Sequence, residues 1–263
     1  MADTIIFGVD MSSDSGKNID LSNPVQIADG IYWIGFHDKE AGLHCNPYLL
    51  IDGDEAVLFD PGSVPHFPVV LSMVCKLVSF DQITHIVVSH QDPDLCGAIP
   101  RFEELIYGVG GECDISAHTR ASVLISHYGV RSKFYNVDMN GWKLTLKSGR
   151  TLEFIFTPYL HFPGAYMTYD SRSKILFSGD VFGAFSFDWN LFANEYYLEA
   201  MKAFHENYMP GKNFVNKAME KLEKLDIKII APQHGSIINK DAPRYINALK
   251  NIECGDYLFE NGD

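Results

Sequence analysis

Four short apolar runs in this chain each end in a residue able to hold a metal ion, and few folds can use such a pattern. Residues 83–88 (ITHIVV) form a β-branched run that reads as a buried strand and passes directly into Ser89-His90. His161 closes the run Leu160-His161-Phe162-Pro163. Asp180 follows Phe177-Ser178-Gly179, where the glycine lets the backbone turn. His234 follows Ala231-Pro232-Gln233 and precedes Gly235. Ligands collect at strand ends in layered α/β folds, and an imidazole buried there without a partner would be costly.

The first of these ends carries the densest chemistry. In SHQDPDLCG, residues 89–97, His90, Asp92 and Asp94 stand at positions i, i+2 and i+4. If the chain leaves the strand as a loop, alternate residues turn to the same side. Pro93 stiffens that loop by fixing its own φ and restricting Asp92. Two carboxylates this close repel unless positive charge lies between them, and a cation is the simplest source. An Asp-Pro-Asp after a strand is also ordinary cap and turn chemistry. The three later strand ends favour the metal.

Punctuation along the chain suggests how the runs are packed. Residues 48–51 and 56–59 flank Asp52-Gly53-Asp54 and read as a hairpin. Helical periodicity marks 64–77, 99–107, 120–127, 194–209, 212–225 and 243–252, with Met209-Pro210-Gly211 breaking the fourth from the fifth. Residues 114–117 and 227–231 read as strands. The stretches 142–146 with 152–156, and 165–169 with 175–178, read as two further hairpins. Hairpins alternating with helix-linked strands suggest an α/β sandwich, helices covering two sheets.

Composition narrows the function. A formal net charge of −13 disfavours nucleic acid and anionic membrane as partners, since both need clustered Lys and Arg. No apolar stretch approaches the length of a transmembrane helix, and residues 1–20 lack the basic start of a signal peptide. These features lead us to expect a cytoplasmic protein. The cysteines Cys45, Cys75, Cys96, Cys113 and Cys254 are odd in number and form no C-x-x-C pair, which suits reduced thiols. Cys45 and Cys96 are expected near the metal residues, as packing groups rather than ligands. Residues 1–24 read as an N-terminal extension and 25–263 as one domain.

The motifs resemble those of the metallo-β-lactamase superfamily, and within it the diiron domain of the flavodiiron proteins. HQDPDLCG looks like that family's H-x-E-x-D-H-x-G rather than the general H-x-H-x-D-H. Residues 157–185 are similar to the stretch around its next histidine and bridging aspartate, and APQHGSII to its final histidine segment. The resemblance implies an αβ/βα sandwich of two mixed sheets flanked by helices. It also implies two iron ions: one on His90, Asp92 and His161, the other on Asp94 and His234, with Asp180 bridging. Two departures stand out. Asp92 replaces a glutamate, and Leu95 occupies the position of the fourth motif ligand, leaving the second metal only Asp94, Asp180 and His234.

Carboxylate in place of the second motif histidine makes the site harder and more anionic than the imidazole-rich zinc sites, which favours iron or manganese. Three carboxylates face a charge of +4 from two ferrous ions, and oxidation to the ferric pair would call for a further anion such as peroxide. Tyr48 and Tyr159 are candidate hydrogen-bond donors to bound dioxygen, His44 is a candidate to face the site, and Asp60 in LFDPG is expected to orient a ligand histidine. No FMN phosphate loop and no four-cysteine rubredoxin site is expected. By resemblance to the stand-alone oxygen-binding diiron proteins, the chain is expected to sense oxygen, holding it as a bridged peroxo adduct, and the under-ligated second metal leads us to expect that it also reports iron availability. That resemblance also implies a homodimer coupled to a cytoplasmic chemoreceptor or histidine kinase. The alternatives are a dioxygen or nitric oxide reductase with an external electron donor, and a metal-dependent hydrolase.

Overall fold

Seven of the strands lie side by side in the order in which the chain makes them. The computed structural model describes residues 19–38, 42–185 and 189–255; most of the expected N-terminal extension, residues 1–18, lies outside them. The first sheet runs β1 (Val25–Ala28), β2 (Ile31–Trp33), β3 (Tyr48–Asp52), β4 (Glu55–Phe59), β5 (Ile83–Val87), β6 (Asp114–Ala117) and β7 (Lys133–Asn136). β1 to β4 pair antiparallel, and β4 to β7 pair parallel. The parallel half needs crossovers, as parallel neighbours always do. These are α1 (Phe67–Val74), then α2 (Pro93–Cys96) with α3 (Ile99–Gly108), then α4 (Thr119–Ile125).

The second sheet is built from β8 (Lys143–Thr145), β9 (Thr151–Phe156), β10 (Tyr166–Asp170), β11 (Ile175–Phe177) and β12 (Ile229–Ala231), in the spatial order β12-β11-β10-β9-β8. Only β11 and β12 pair parallel, across the excursion through α5 (Tyr197–Tyr208) and α6 (Lys212–Leu222). α7 (Ala242–Lys250) packs beside α6. Both sheets are thus mixed.

Period-two alternation decides the layering. Tyr48, Leu50, Val57 and Phe59 turn one way and meet Phe154, Tyr166, Ile175 and Phe177 of the second sheet. Phe59 stacks on Phe177 at 4.0 Å between ring centroids. Leu49, Ala56 and Leu58 turn the other way, onto Val70, Val74, Phe102 and Ile106 of the helices. On the far side of the second sheet, Met167 and Leu176 meet Met201, Phe204, Met219 and Leu249. Helices therefore cover both outer faces, the αβ/βα sandwich implied by the motifs. Truncating Phe59 to alanine in the middle layer should cost about 3–5 kcal/mol.

The structure adds elements that the sequence pattern does not announce. β1, β2 and β7 span only three or four residues each, too short for an alternation to be seen, and they persist because neighbouring strands complete their ladders. Residues 93–96 form a helical turn rather than a loop. The described part of the expected extension is tied down: Lys76 Nζ donates to the Ser22 carbonyl at 2.7 Å, and Leu21 packs on the middle layer.

Candidate metal centre

All four strand-end segments arrive at one end of the sandwich. β5 delivers Ser89 and His90, and Asp92 then occupies the N-cap position of α2 with extended backbone at ψ 145°. Its carboxylate makes no capping bond, so it is free to face the site. Pro93 supplies the first helical residue without wasting a donor. The single helical turn brings Asp94 round beside the segment that carries His234.

Two glycines permit the close approach. Gly179 takes φ +58°, and a Cβ there would stand 3.0 Å from Ser89 Oγ. Gly235 takes φ +76°, and a Cβ would stand 2.4 Å from the Tyr197 hydroxyl and 2.7 Å from the Ala184 nitrogen. Any larger residue is strained at either position by the positive φ, and at Gly235 it is also blocked by backbone.

The ligand atoms divide into two groups about one shared carboxylate. His161 Nε2 lies 3.2 Å from Asp92 Oδ2 and 3.1 Å from Asp180 Oδ2. His90 Nε2 lies 3.5 Å from each of the same two oxygens. The other oxygen, Asp180 Oδ1, faces His234 Nε2 at 3.4 Å, which in turn is 3.5 Å from Asp94 Oδ2. Donors bound at metal distances to one ion stand about 3.0–3.6 Å apart, the spacing of each of these pairs; His90, His161 and Asp180 on one side, and Cys45, Asp94 and His234 on the other, each offer ligand atoms all within 4.8 Å of one another.

The chemistry of these atoms calls for cations. His90 Nε2 and Asp180 Oδ1 are sealed from water and have no conventional hydrogen-bond partner among the described residues; each costs about 1–3 kcal/mol while it stays so. Burial works against ionising Asp180, yet His90, His234 and His161 together hold its carboxyl well below the usual range. Bonds to Asp180 and Asp92 raise His161 to about 9. Protons on the imidazoles thus stand where metal charge would stand, and a bound metal displaces them.

The surrounding bonds aim the rings. His234 Nδ1 donates to the His44 carbonyl at 2.8 Å; a carbonyl only accepts, so Nδ1 carries the proton and Nε2 offers its lone pair. Ser89 Oγ lies 3.2 Å from His90 Nδ1. Asp60 does not touch a ligand ring. Its Oδ1 accepts from the Ser89 backbone N–H at 2.8 Å, fixing the strand exit one residue before His90, and burial raises its pKa to about 7.

The oxygen-facing candidates are placed otherwise. The one proton of the Tyr48 hydroxyl is donated to the Pro232 carbonyl at 2.8 Å, so Tyr48 steadies the His234 loop. Tyr159 is exposed and packs on Phe214. His44 contributes its carbonyl, while its buried ring packs edge-on against Trp189 at 4.8 Å, and burial lowers its pKa to about 3.

Three further residues stand at the site. Cys45 lies beside the metal residues, as expected: its Sγ is 3.5 Å from Asp94 Oδ2, and Cys45, Asp94 and His234 offer three ligand atoms within 4.8 Å of one another. Its place within LHCNPYLL, far from any motif ligand in sequence, does not mark its thiol as a possible donor. Asn46 donates to the carbonyls of Pro232 and Gly235, at 3.2 and 2.8 Å, and thereby holds the His234 turn. Tyr208, exposed on α5, stands with its ring 6.1 Å from that of His161. Cys96 remains a packing group, its thiol donating to the carbonyls of Gln91 and Asp92.

Known proteins share this architecture. The chain is 31% identical over 247 residues to the nitric oxide reductase of Moorella thermoacetica, covering 87% of this chain and 61% of that one. It thus spans about three fifths of that relative, and half of the anaerobic nitric oxide reductase flavorubredoxin of Aeromonas hydrophila, which is 25% identical. Among solved structures, the apo chemotaxis sensor ODP of T. denticola is 30% identical, with a TM-score of 0.74, covering 90% of this chain and 97% of that one. A structure described as the peroxy diiron species of chemotaxis sensor ODP is 29% identical with a TM-score of 0.76. The rubredoxin:oxygen oxidoreductase of Desulfovibrio gigas, at 22% identity and a TM-score of 0.76, shares the fold. The sequence model of the ODP family β-lactamase domain matches residues 43–235, and this chain belongs to that family.

Proposed function

We propose that the chain binds dioxygen reversibly at a pair of iron ions and reports oxygen to a chemotaxis signalling system. The observation that carries the dimetal part is the split of Asp180, one oxygen toward His161 and His90 and the other toward His234. One carboxylate serving two groups of donors suits two ions sharing a ligand, and the carboxylate-rich donor set suits iron. Two ferrous ions held there would supply one electron each to dioxygen. Around them, His90, Asp92 and His161 hold the first position, and Asp94 and His234 the second. The His44 carbonyl and Ser89 orient the rings, and the side chains of Asp92, Asp94 and His161 keep partial exposure through which a small ligand can enter.

The sensor reading is supported by membership of the ODP family and by similarity to the chemotaxis sensor. It carries with it a cytoplasmic chemoreceptor or histidine kinase as partner, a homodimeric state and a cytoplasmic location. No helix among the described residues is long and apolar enough to cross a membrane. Resemblance to nitric oxide reductases favours a second reading, reduction of dioxygen or nitric oxide with electrons from an outside donor. Anaerobic stopped-flow mixing of the diferrous protein with dioxygen separates the two. A long-lived coloured adduct that is reversed by removing oxygen is the expected result; rapid decay with sustained turnover from a supplied donor would replace the sensor with the reductase.

A further inference from the structure

The second metal position is short of donors if only Asp94, Asp180 and His234 serve it, and a buried thiol stands beside them. We propose that Cys45 Sγ is a ligand of the second metal ion, completing a Cys-His-Asp set in the place where Leu95 can supply nothing. The inference rests on the dimetal reading above and deepens it.

The backbone places this thiol deliberately with respect to His234. On one side of Cys45, the His44 carbonyl accepts from His234 Nδ1 at 2.8 Å. On the other, the Asn46 N–H donates to the Gln233 carbonyl at 2.7 Å. The same two bonds that aim His234 therefore hold Cys45. Three of the resulting separations have the spacing of ligands on one ion: 3.5 Å from Sγ to Asp94 Oδ2, 3.5 Å from that oxygen to His234 Nε2, and 3.4 Å from Nε2 to Asp180 Oδ1, with the ligand atoms of Cys45, Asp94 and His234 all within 4.8 Å of one another. Donors at about 2.1 Å for N or O and about 2.3 Å for S stand about 3.4–3.6 Å apart round a tetrahedral ion. Asp180 Oδ1, buried and without a conventional hydrogen-bond partner among the described residues, points into the same space. Cys96 and Cys113, by contrast, spend their thiols on backbone carbonyls and on Ser132.

Charge points the same way. Asp92, Asp94 and Asp180 balance three of the four positive charges of two ferrous ions. Beside Cys45 and His234, which are 4% and 2% exposed, an uncompensated charge is expensive. A Cys45 thiolate closes the balance. On binding, the S–H bond breaks, its proton leaves to solvent and the metal–sulfur bond takes its place. Without metal, the thiol donates weakly to Asp94, holding a proton where the ion would go.

Anaerobic titration of the reduced, metal-free full chain with Co(II) tests this. Two equivalents should bind, and one of them should produce a near-ultraviolet thiolate-to-cobalt charge-transfer band. The band should persist in Cys96→Ala and vanish in Cys45→Ala and Cys45→Ser, with the affinity for one of the two ions falling at least about tenfold and the other unchanged. Two bound ions with no thiolate band, or a band that survives Cys45→Ala, would overturn the ligand while leaving the dimetal centre standing. Fewer than one bound ion would remove the centre and the ligand together. X-ray absorption of the iron-loaded natural protein needs no variant: one sulfur at about 2.3 Å shared over two irons is expected, and a shell of nitrogen and oxygen alone would refute it.

Discussion

The two halves of the metal centre are built from different materials. The first position gathers His90 and Asp92 from one loop and His161 from another, and its polar atoms lie 3.1–3.5 Å apart around Asp180 Oδ2. The second gathers Asp94, His234 and Cys45 from three separate parts of the chain, around Asp180 Oδ1. One half is written mostly into a short motif with one distant histidine; the other exists only because the β2–β3 connection, α2 and the loop after β12 converge. A half assembled from dispersed segments depends on the bonds between those segments, so its supports matter as much as its ligands.

Removing the shared element should erase the difference. Asp180→Ala should cost both metals, with more than about 100-fold loss of affinity at each, beyond the effect of losing a group behind a ligand; metal analysis after dialysis reads it. Retention of one tightly held ion in that variant would show that the halves are independent. Removing one imidazole should instead split them. His161→Ala and His234→Ala should each fall from two ions per chain to one, and paramagnetic resonance of the mixed-valence form should disappear in both.

A support common to both halves should respond to pH rather than to metal. His205 is buried, donates from Nδ1 to the Met201 carbonyl and accepts the Phe182 N–H at Nε2, steadying the loop just past Asp180. Burial lowers its pKa to about 4. A histidine held neutral in the fold contributes stability that is complete above its unfolded value of about 6.5 and is lost as pH falls toward 4. The loss should reach about 3 kcal/mol, read as the difference in urea midpoint between the natural protein and His205→Gln across that window. Parallel curves would exclude His205 from the acid response.

The smaller effects fall on the second half alone. Asn46→Ala removes the amide that holds the Pro232 and Gly235 carbonyls and accepts from Trp33 Nε1 at 2.9 Å. Affinity for the second ion should drop about tenfold while the first is spared, as isothermal titration would show; equal losses at both positions would mean a general loosening. Leu95→His restores the side chain of the family motif. With Cys45 already serving that ion, the gain should stay below about tenfold in the natural background and grow when combined with Cys45→Ala. A large gain in the single variant would mean that the second ion lacks a ligand.

Sequence alone determined the ends of the strands and what stands on them. ITHIVV running into His90, and the single apolar-to-polar steps at Asp180 and His234, are legible because a buried strand follows from local hydrophobicity and a polar residue closing one stands out against it. Hairpins alternating with helix-linked strands suggest the layered class, but residues 48–51 and 56–59 are apolar throughout, and only the packing decided which face of β3 and β4 meets the second sheet and which meets the helices. Tertiary structure decided the rest. β1, β2 and β7 are too short to show a period and exist through the ladders of their neighbours. Tyr48 looks the same in sequence whether its hydroxyl faces a ligand or a carbonyl, and only the fold of the Pro232 turn assigned it to the latter. Cys45 lies 49 residues from Asp94 and 189 from His234. No local rule connects residues so far apart, because a metal ligand set is a property of converging chain segments and not of any one of them.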